Sequence, residues 1–458
     1  MPRLLLALLL AALPLRAADA PPPRPNIVFL LVDDLRWNSL GYAGDKQVQT
    51  PNIDRLAAHG TVFHQAFVTT SICCVSRASI LTGQWERRHR IADFETPLTA
   101  AQWAETYPAL LRQAGYRTGF VGKFGVGSAK AIAAMAKDFD FWRGRPGQGG
   151  AEFFEKTDPT HTHATARFGN EALEFLQGCR ADQPFCLSLS FNAVHARDGK
   201  PREYAPDPRD ETLYAETTIP LPSLATAAAF ARLPAFVQTS EGRRRWQWRF
   251  DTAEKTQATL RDYDRLITGV DREIGRIVAE LEKSGLAQNT ILIFTSDNGY
   301  ALGDRGLADK WFAYEEDMRV AMVICEPGQP ARLSESVVLN VDLAPTILAY
   351  AGLPAPEHMQ GRSLVPLVRG ETPPADWRTE FFYEHHSVPD RIPPVEAYRT
   401  PEWKYLRWLP QKNYEAVEEL YHLKDDPLEE KNLISDPAQA GVLEELKAKY
   451  QKAGESLR

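Results

Sequence analysis

Two cysteines stand side by side, Cys73 and Cys74, in the stretch SICCVSRASILTG of a 458-residue chain that has only 5 cysteines. A disulfide between direct neighbours strains the geometry of the bond. A zinc site would want a second Cys or His cluster, and the chain offers none. Two readings stay open: one cysteine does chemistry, or both are small core residues. Elsewhere, Asp33, Asp34, Asp297 and Asn298 supply three carboxylates and an amide. That is a hard oxygen set, suited to Ca2+ or less readily Mg2+. Arg77, Lys123 and Lys310 can clamp an oxyanion such as sulfate or phosphate, Arg by planar bidentate contacts and Lys as a point charge. His195 can protonate a leaving oxygen. Taken singly, each has a bland counterpart as a cap, a core histidine or a surface cation. Their shared placement gives them weight.

That placement depends on the elements around them. NIVFLLVDD is a near-continuous β-branched and aromatic run, which reads as a strand buried on both faces and ending at Asp33 and Asp34. TPNIDRLAAHG is a helix with Pro51 at its start and Gly60 at its end. TVFHQAFVT is a short strand, and SRASILTG one or two helical turns closed by Gly83. The strand TGFVG ends at Lys123, PFCLSLSFNAVH at His195, and NTILIFTSDNG at Asp297 and Asn298. Between them lie the helix NEALEFLQG and a long helix from Thr252 with apolar residues at three-to-four spacing. NVDLAPTILAYAG reads as an amphipathic helix. Residues 197–249 are rich in Pro, Arg and Asp with weak periodicity, and read as a surface excursion roofing the site. Alternating strands and helices predict an α/β fold, a large mostly parallel sheet with helices on both faces. Ligands bind such sheets outside the carboxyl ends of the strands, where all these polar residues fall. From about Glu371 short aromatic-rich pieces predict a smaller C-terminal antiparallel-sheet α+β subdomain with a terminal helix. The expected divisions are 1–20, 21–370 and 371–458.

The chain is 44% hydrophobic and 25% charged, with net charge -7. No basic stretch stands out, so no nucleic-acid partner is expected. MPR followed by LLLALLLAALPL and RAADA reads as a secretory signal peptide over residues 1–20, and no later stretch suits membrane insertion. The expected location is therefore secreted or periplasmic, where disulfides persist. Cys179 and Cys186 flank a short loop and can pair, whereas Cys325, in an apolar run, is expected to be buried and free.

Over nearly its whole mature length the chain resembles the formylglycine-dependent sulfatases of the alkaline-phosphatase-like superfamily. The resemblance is carried in family order by NIVFLLVDDLRWNSLGY, TPNIDRLAAHGTVFHQAF, CCVSRASILTG, TGFVGKF, LSFNAVH, TSDNGYALGDRGLADKWFAYEEDMRV, VDLAPTILAYAG and ELYHLKDDPLEEKNL. It implies that Cys73 is oxidised to formylglycine by a formylglycine-generating or anaerobic sulfatase-maturating enzyme. Asp33, Asp34, Asp297 and Asn298, with the modified Cys73, are similar to the family's Ca2+ ligands. Arg77 then stabilises the hydrated aldehyde, Lys123 and Lys310 hold sulfate, and His195 protonates the leaving alcohol. The implied activity is a sulfuric ester hydrolase acting on a sulfated carbohydrate. The rivals are phosphate or phosphonate ester hydrolysis on the same fold, and an inactive homologue that binds sulfated glycans.

Three positions depart from the family pattern. Val75 replaces the proline of Cys-x-Pro-Ser-Arg, Gln84 stands for an arginine, and Gly125 stands where many members carry a histidine. His64, His89 and His386 are candidate substitutes for that histidine. Glu384, His385, His386, Arg391 and Arg399 are candidate sugar contacts.

Overall fold

Every residue of Asn26–Val32 (β1) is buried, as its unbroken apolar run requires of a strand covered on both faces. The structure is a computed structural model that describes residues 24–147, 153–154 and 160–458. Around β1 assemble Thr61–Phe63 (β2), Arg117–Lys123 (β3), Phe141–Arg145 (β4), Phe185–Ser190 (β5), Thr290–Ser296 (β6), Met322–Cys325 (β7) and Arg332–Ser334 (β8). The sheet order is β8-β2-β7-β6-β1-β5-β3-β4. Only β7 runs against its neighbours, so the sheet is mostly parallel, as expected.

Alternation along β1 builds two cores. Val28, Leu30 and Val32 face Pro51–His59 (α1), Ala164–Gln177 and the long helix Ala253–Lys283. Ile27, Phe29 and Leu31 face Cys73–Thr82 (α2) and Leu343–Tyr350. The C-terminal sheet is a meander of Phe381–His385 (β9), Val395–Arg399 (β10), Trp403–Trp408 (β11) and Val417–His422 (β12). Ala440–Ser456 packs on one face of it. Its other face shares a core with Cys74, Val75 and Trp311 of the larger unit.

Several expectations need correction. Cys179 and Cys186 do not pair, and all five cysteines are free. Cys186 belongs to the core on one face of the large sheet, while Cys179 packs against the core on the other, so the sheet separates them. Cys325 is half-buried rather than buried. The run TVFHQAFVT splits: after β2, Ala66–Phe67 leaves the large sheet to pair with Val338–Leu339. Leu343–Tyr350 is buried nearly all round rather than amphipathic, because α2, Tyr107–Gln113 and Val365–Val368 all pack against it. The excursion over 197–249 carries three short helices, Ala227–Ala231, Ala235–Gln238 and Glu241–Arg249. The proposed signal peptide lies outside the described residues. Among the described residues, no helix is long and apolar enough to cross a membrane.

Candidate active site

Strand register assembles the acids. Val32 of β1 pairs with Ser296 of β6, so Asp33 and Asp34 leave one strand beside Asp297 and Asn298 leaving the next. The helix α2 aims at the same point with its first residue, Cys73, whose Sγ lies 3.2 Å from Asp33 Oδ1. Ligand atoms of Asp33, Asp34, Cys73 and Asp297 all lie within 4.8 Å of one another. One helical turn beyond Cys73, Arg77 donates through Nε to Asp297 Oδ2 at 2.8 Å and through Nη1 to the Lys123 carbonyl at 2.7 Å. It also donates to Ser190 Oγ at the end of β5.

The lysines complete the cluster. Lys123 Nζ binds Asp33 Oδ2, and Lys310 Nζ lies 2.6 Å from Asp34 Oδ2. His195 is not at a strand end, since β5 stops at Ser190. The chain beyond β5 stays pinned to Asp33 through two backbone bonds, Asp33 N–H to Ala193 and Val194 N–H to Asp33. That brings His195 Nε2 to 3.7 Å from Asp34 Oδ2. Its Nδ1–H donates to the Ala196 carbonyl at 2.6 Å, which leaves Nε2 facing the acids. All nine residues proposed from sequence thus converge at one buried place. A cleft of about 1010 Å3 lies elsewhere, lined by Arg36, Trp37, Arg319 and Trp377 and by none of the nine.

Burial sets the electrostatics. Asp33 is pushed up to about 7 by desolvation and by Asp297, against the pull of Lys123 and Arg77. Asp34 meets the same desolvation, but Lys310 and His195 hold it below the usual carboxylate range. Burial and Lys310 bring His195 down to about 3, so the imidazole is neutral. Burial beside Asp33 raises the Cys73 thiol well above its ordinary range. As a thiol it is therefore a poor nucleophile. The opening question about the paired cysteines resolves here: Cys73 faces the acids, and Cys74 is core.

The donor set fits a hard divalent cation. Asn298 donates its Nδ2 to Asp34 Oδ1 at 2.8 Å, which leaves its Oδ1 buried with no hydrogen-bond partner beside three carboxylates. A buried, unmet oxygen acceptor among acids is what an oxygen-loving cation needs.

The substitutes for the absent histidine do not reach the cluster. His89 is tied to Ser79 and Ile91, His64 to Glu335 at the surface, and His386 to Glu396. Gly125 itself lies against the site: a Cβ there would come within 2.7 Å of Arg77 Cδ. Among the candidate sugar contacts, Glu384 and His385 are fully buried, and Arg399 is paired with Glu315. They belong to the junction between the two units rather than to open loops. Sequence reasoning passed over Ser190, Asp309, Arg245 and Arg249. A serine closing β5 and the arginine-rich GRRRWQWR were the available signals.

A family model described as Sulfatase matches residues 25–353, and one described as N-sulphoglucosamine sulphohydrolase, C-terminal, matches residues 303–456. The chain is 30% identical to an N-acetylglucosamine-6-O-sulfatase of Bacteroides thetaiotaomicron, over 96% of this chain and 89% of that protein. A solved structure in complex with its substrate D-glucosamine-2-N,6-O-disulfate superposes with TM-score 0.80 at 28% identity, covering 95% of this chain and 98% of that one. A phosphonate monoester hydrolase of Agrobacterium radiobacter superposes with TM-score 0.78 at 21% identity, covering 95% and 96%. At that identity the likeness shows the fold alone.

Proposed function

The chain belongs to the sulfatase family and is a sulfuric ester hydrolase, and on that premise we propose that it removes sulfate from a sulfated carbohydrate, with residue 73 as nucleophile. One observation carries the reading: Cys73, three carboxylates and three cations meet at a single buried point. Two relatives support a sugar substrate, one named for N-acetylglucosamine 6-O-sulfate and one solved with a glucosamine disulfate.

Asp33, Asp34, Asp297, Asn298 and residue 73 are the residues that would hold Ca2+, with Mg2+ fitting less readily because it demands a more rigid octahedron. A bound cation supplies charge that lowers the pKa of an attacking hydroxyl and offsets charge on sulfate oxygens. Formylglycine at position 73 would supply, as its hydrate, the hydroxyl nucleophile and the means of sulfate release that a thiol lacks. Arg77 fixes the geometry by tying the first turn of α2 to Asp297 and β3. Lys123 and Lys310 offer ammonium groups to the sulfate oxygens. His195 presents Nε2 to the leaving oxygen. Its second proton is opposed by burial and Lys310 and favoured by an incoming anion. We assign maturation to a formylglycine-generating or anaerobic sulfatase-maturating enzyme, and place the protein outside the cytoplasm on the strength of residues 1–20. We set the catalytic domain at 21–370 and the C-terminal subdomain at 371–458.

The test is mass spectrometry of the tryptic peptide Leu56–Arg77 after co-expression with a maturating enzyme, followed by turnover assays. The expected result is loss of the Cys73 sulfur with gain of an aldehyde, and sulfate release from 6-O-sulfated N-acetylglucosamine. Cleavage of phosphonate or phosphate monoesters in place of sulfate esters would shift the substrate class. A converted residue 73 with glycan binding and no turnover would mark an inactive glycan-binding homologue.

A further inference from the structure

Lys310 is flanked on both sides by backbone that L side chains rarely adopt. Asp309 before it has φ +81° and Trp311 after it φ +101°. Such conformations persist only where the surroundings impose them, and they gather at functional sites. Here the surroundings are Glu241–Arg249, the last helix of the excursion over the site (α3 below). Its Arg245 and Arg249, one turn apart on one face, both donate to Asp309 Oδ2, at 2.9 and 2.6 Å. Arg249 is held in turn by Glu203, Asp198 and Tyr300. Arg245 also stacks over Trp311 at 5.0 Å. The other oxygen of Asp309, Oδ1, makes no hydrogen bond and stands 3.8 Å from Lys310 Nζ. Asp309 is 1% exposed.

We propose that Asp309 is a positioning residue for Lys310, and that through it the helix α3 becomes part of the sulfate-binding machinery. The inference rests on the reading of Lys310 as a sulfate ligand. The physical reason is charge. Asp309 is the buried carboxylate that Arg245, Arg249 and Lys310 share, while Asp198 and Glu203 also pair with the arginines and Asp34 with the lysine. Without Asp309 the two guanidinium groups repel an ammonium that Asp34 alone then holds, and shift it from its place. The sign separates this role from simple field effects. Removing a negative charge near the site would, by Coulomb's law alone, tighten sulfate binding, whereas losing the position of Lys310 weakens it.

The experiment is a double-mutant cycle of Asp309→Asn and Lys310→Ala, read by calorimetric titration with inorganic sulfate and by kcat on a sulfate ester. Asp309→Asn is expected to weaken sulfate binding about tenfold and to lower kcat by up to about 100-fold. In the Lys310→Ala background it is expected to change neither. Because Asp309→Asn can impair folding, Arg245→Gln, at the partly exposed end of the network, provides a second entry to the same cycle. Asp309→Glu is expected to restore binding in part. Unchanged or tighter sulfate binding in both single variants, or additive losses in the cycle, overturns the inference. If the wild type binds sulfate and loses it on Asp309→Asn but turns over no sulfate ester, the positioning stands and the sulfatase reading fails. If it turns over sulfate esters and Asp309→Asn leaves kcat and sulfate binding intact, the reading stands and the positioning fails.

Discussion

At Gly125 the backbone has φ +77°, and Arg77 lies where a side chain would begin. A histidine carried over from the family pattern therefore has no room. Gly125→His is expected to cost about 1–3 kcal/mol of stability, from the left-handed backbone together with the displaced Arg77, and to lower kcat rather than raise it. Chemical denaturation and steady-state kinetics check both. At Val75 the expectation is opposite. Ser76 N–H is the donor to the Ile72 carbonyl that opens α2, so the N–H of Val75 is a first-turn donor outside the helical ladder and faces only the Cys74 thiol. Proline is tolerated there. Val75→Pro is expected to raise the fraction of Cys73 converted to formylglycine, read as a mass ratio on the peptide Leu56–Arg77, while the helix survives. Asn298 sets a third measurement. Its unpaired Oδ1 predicts that Ca2+ raises the melting temperature of the wild type and that Asn298→Ala loses most of that rise. An equal rise in both proteins would remove Asn298 from the ligand set.

Among the elements, the junction between the short helix Glu86–His89 and strands β9 and β10 is the most charged. His386 lies 3.0 Å from Glu396 and 3.6 Å from Glu86, while Arg87 bridges Glu384 and Glu396. Burial alone would lower the histidine, but the bonds to Glu396 and Glu86 lift it to about 10 from an ordinary 6.5. A raised folded-state pKa stabilises fully below the unfolded value and is lost as pH passes the folded one. His386→Gln is therefore expected to lower the melting temperature at pH 6 and to converge with wild type near pH 10 and above. A gap that stays constant with pH would contradict this. The same junction shows what the sequence could not convey. Strands β1, β5 and β6 were legible because burial on both faces writes itself as apolar runs, whereas β4, half-buried along its whole length, was not. The site acids were legible because parallel strands end together. The helix Glu241–Arg249 was not, because Arg245 and Arg249 on its inner face are matched by carboxylates from distant segments. His195 was placed at a strand end because its approach, FNAV, is as apolar as a strand. Its backbone is held by bonds to Leu31 and Asp33 and by a turn from His195 N–H to the Asn192 carbonyl, and not by a ladder.

At the scale of the whole molecule the two units are not separable. Tyr383, Leu406 and Trp408 pack with Cys74, Val75 and Trp311. Beneath them Lys404 of β11 is fully buried between Glu315 and Glu429, with Arg305 paired to Glu316 close by. Removing residues 371–458 strips the partners from those charges and bares the back of α2. That truncation is expected to yield no soluble folded protein, and the full chain is expected to unfold in one calorimetric transition. Two separate transitions would show the junction to be weaker than its burial implies. One feature of α2 reaches further. Cys73 is 1% exposed, in a helix whose ten residues are all buried. An enzyme that rewrites this side chain must reach it while the chain is still open, so maturation and collapse run as a race. On the proposed maturation of residue 73, the share of working molecules would be a ratio of two rates, set before the fold closes. On that route, a chain that closes first would keep its thiol and differ from its active siblings at that one buried side chain.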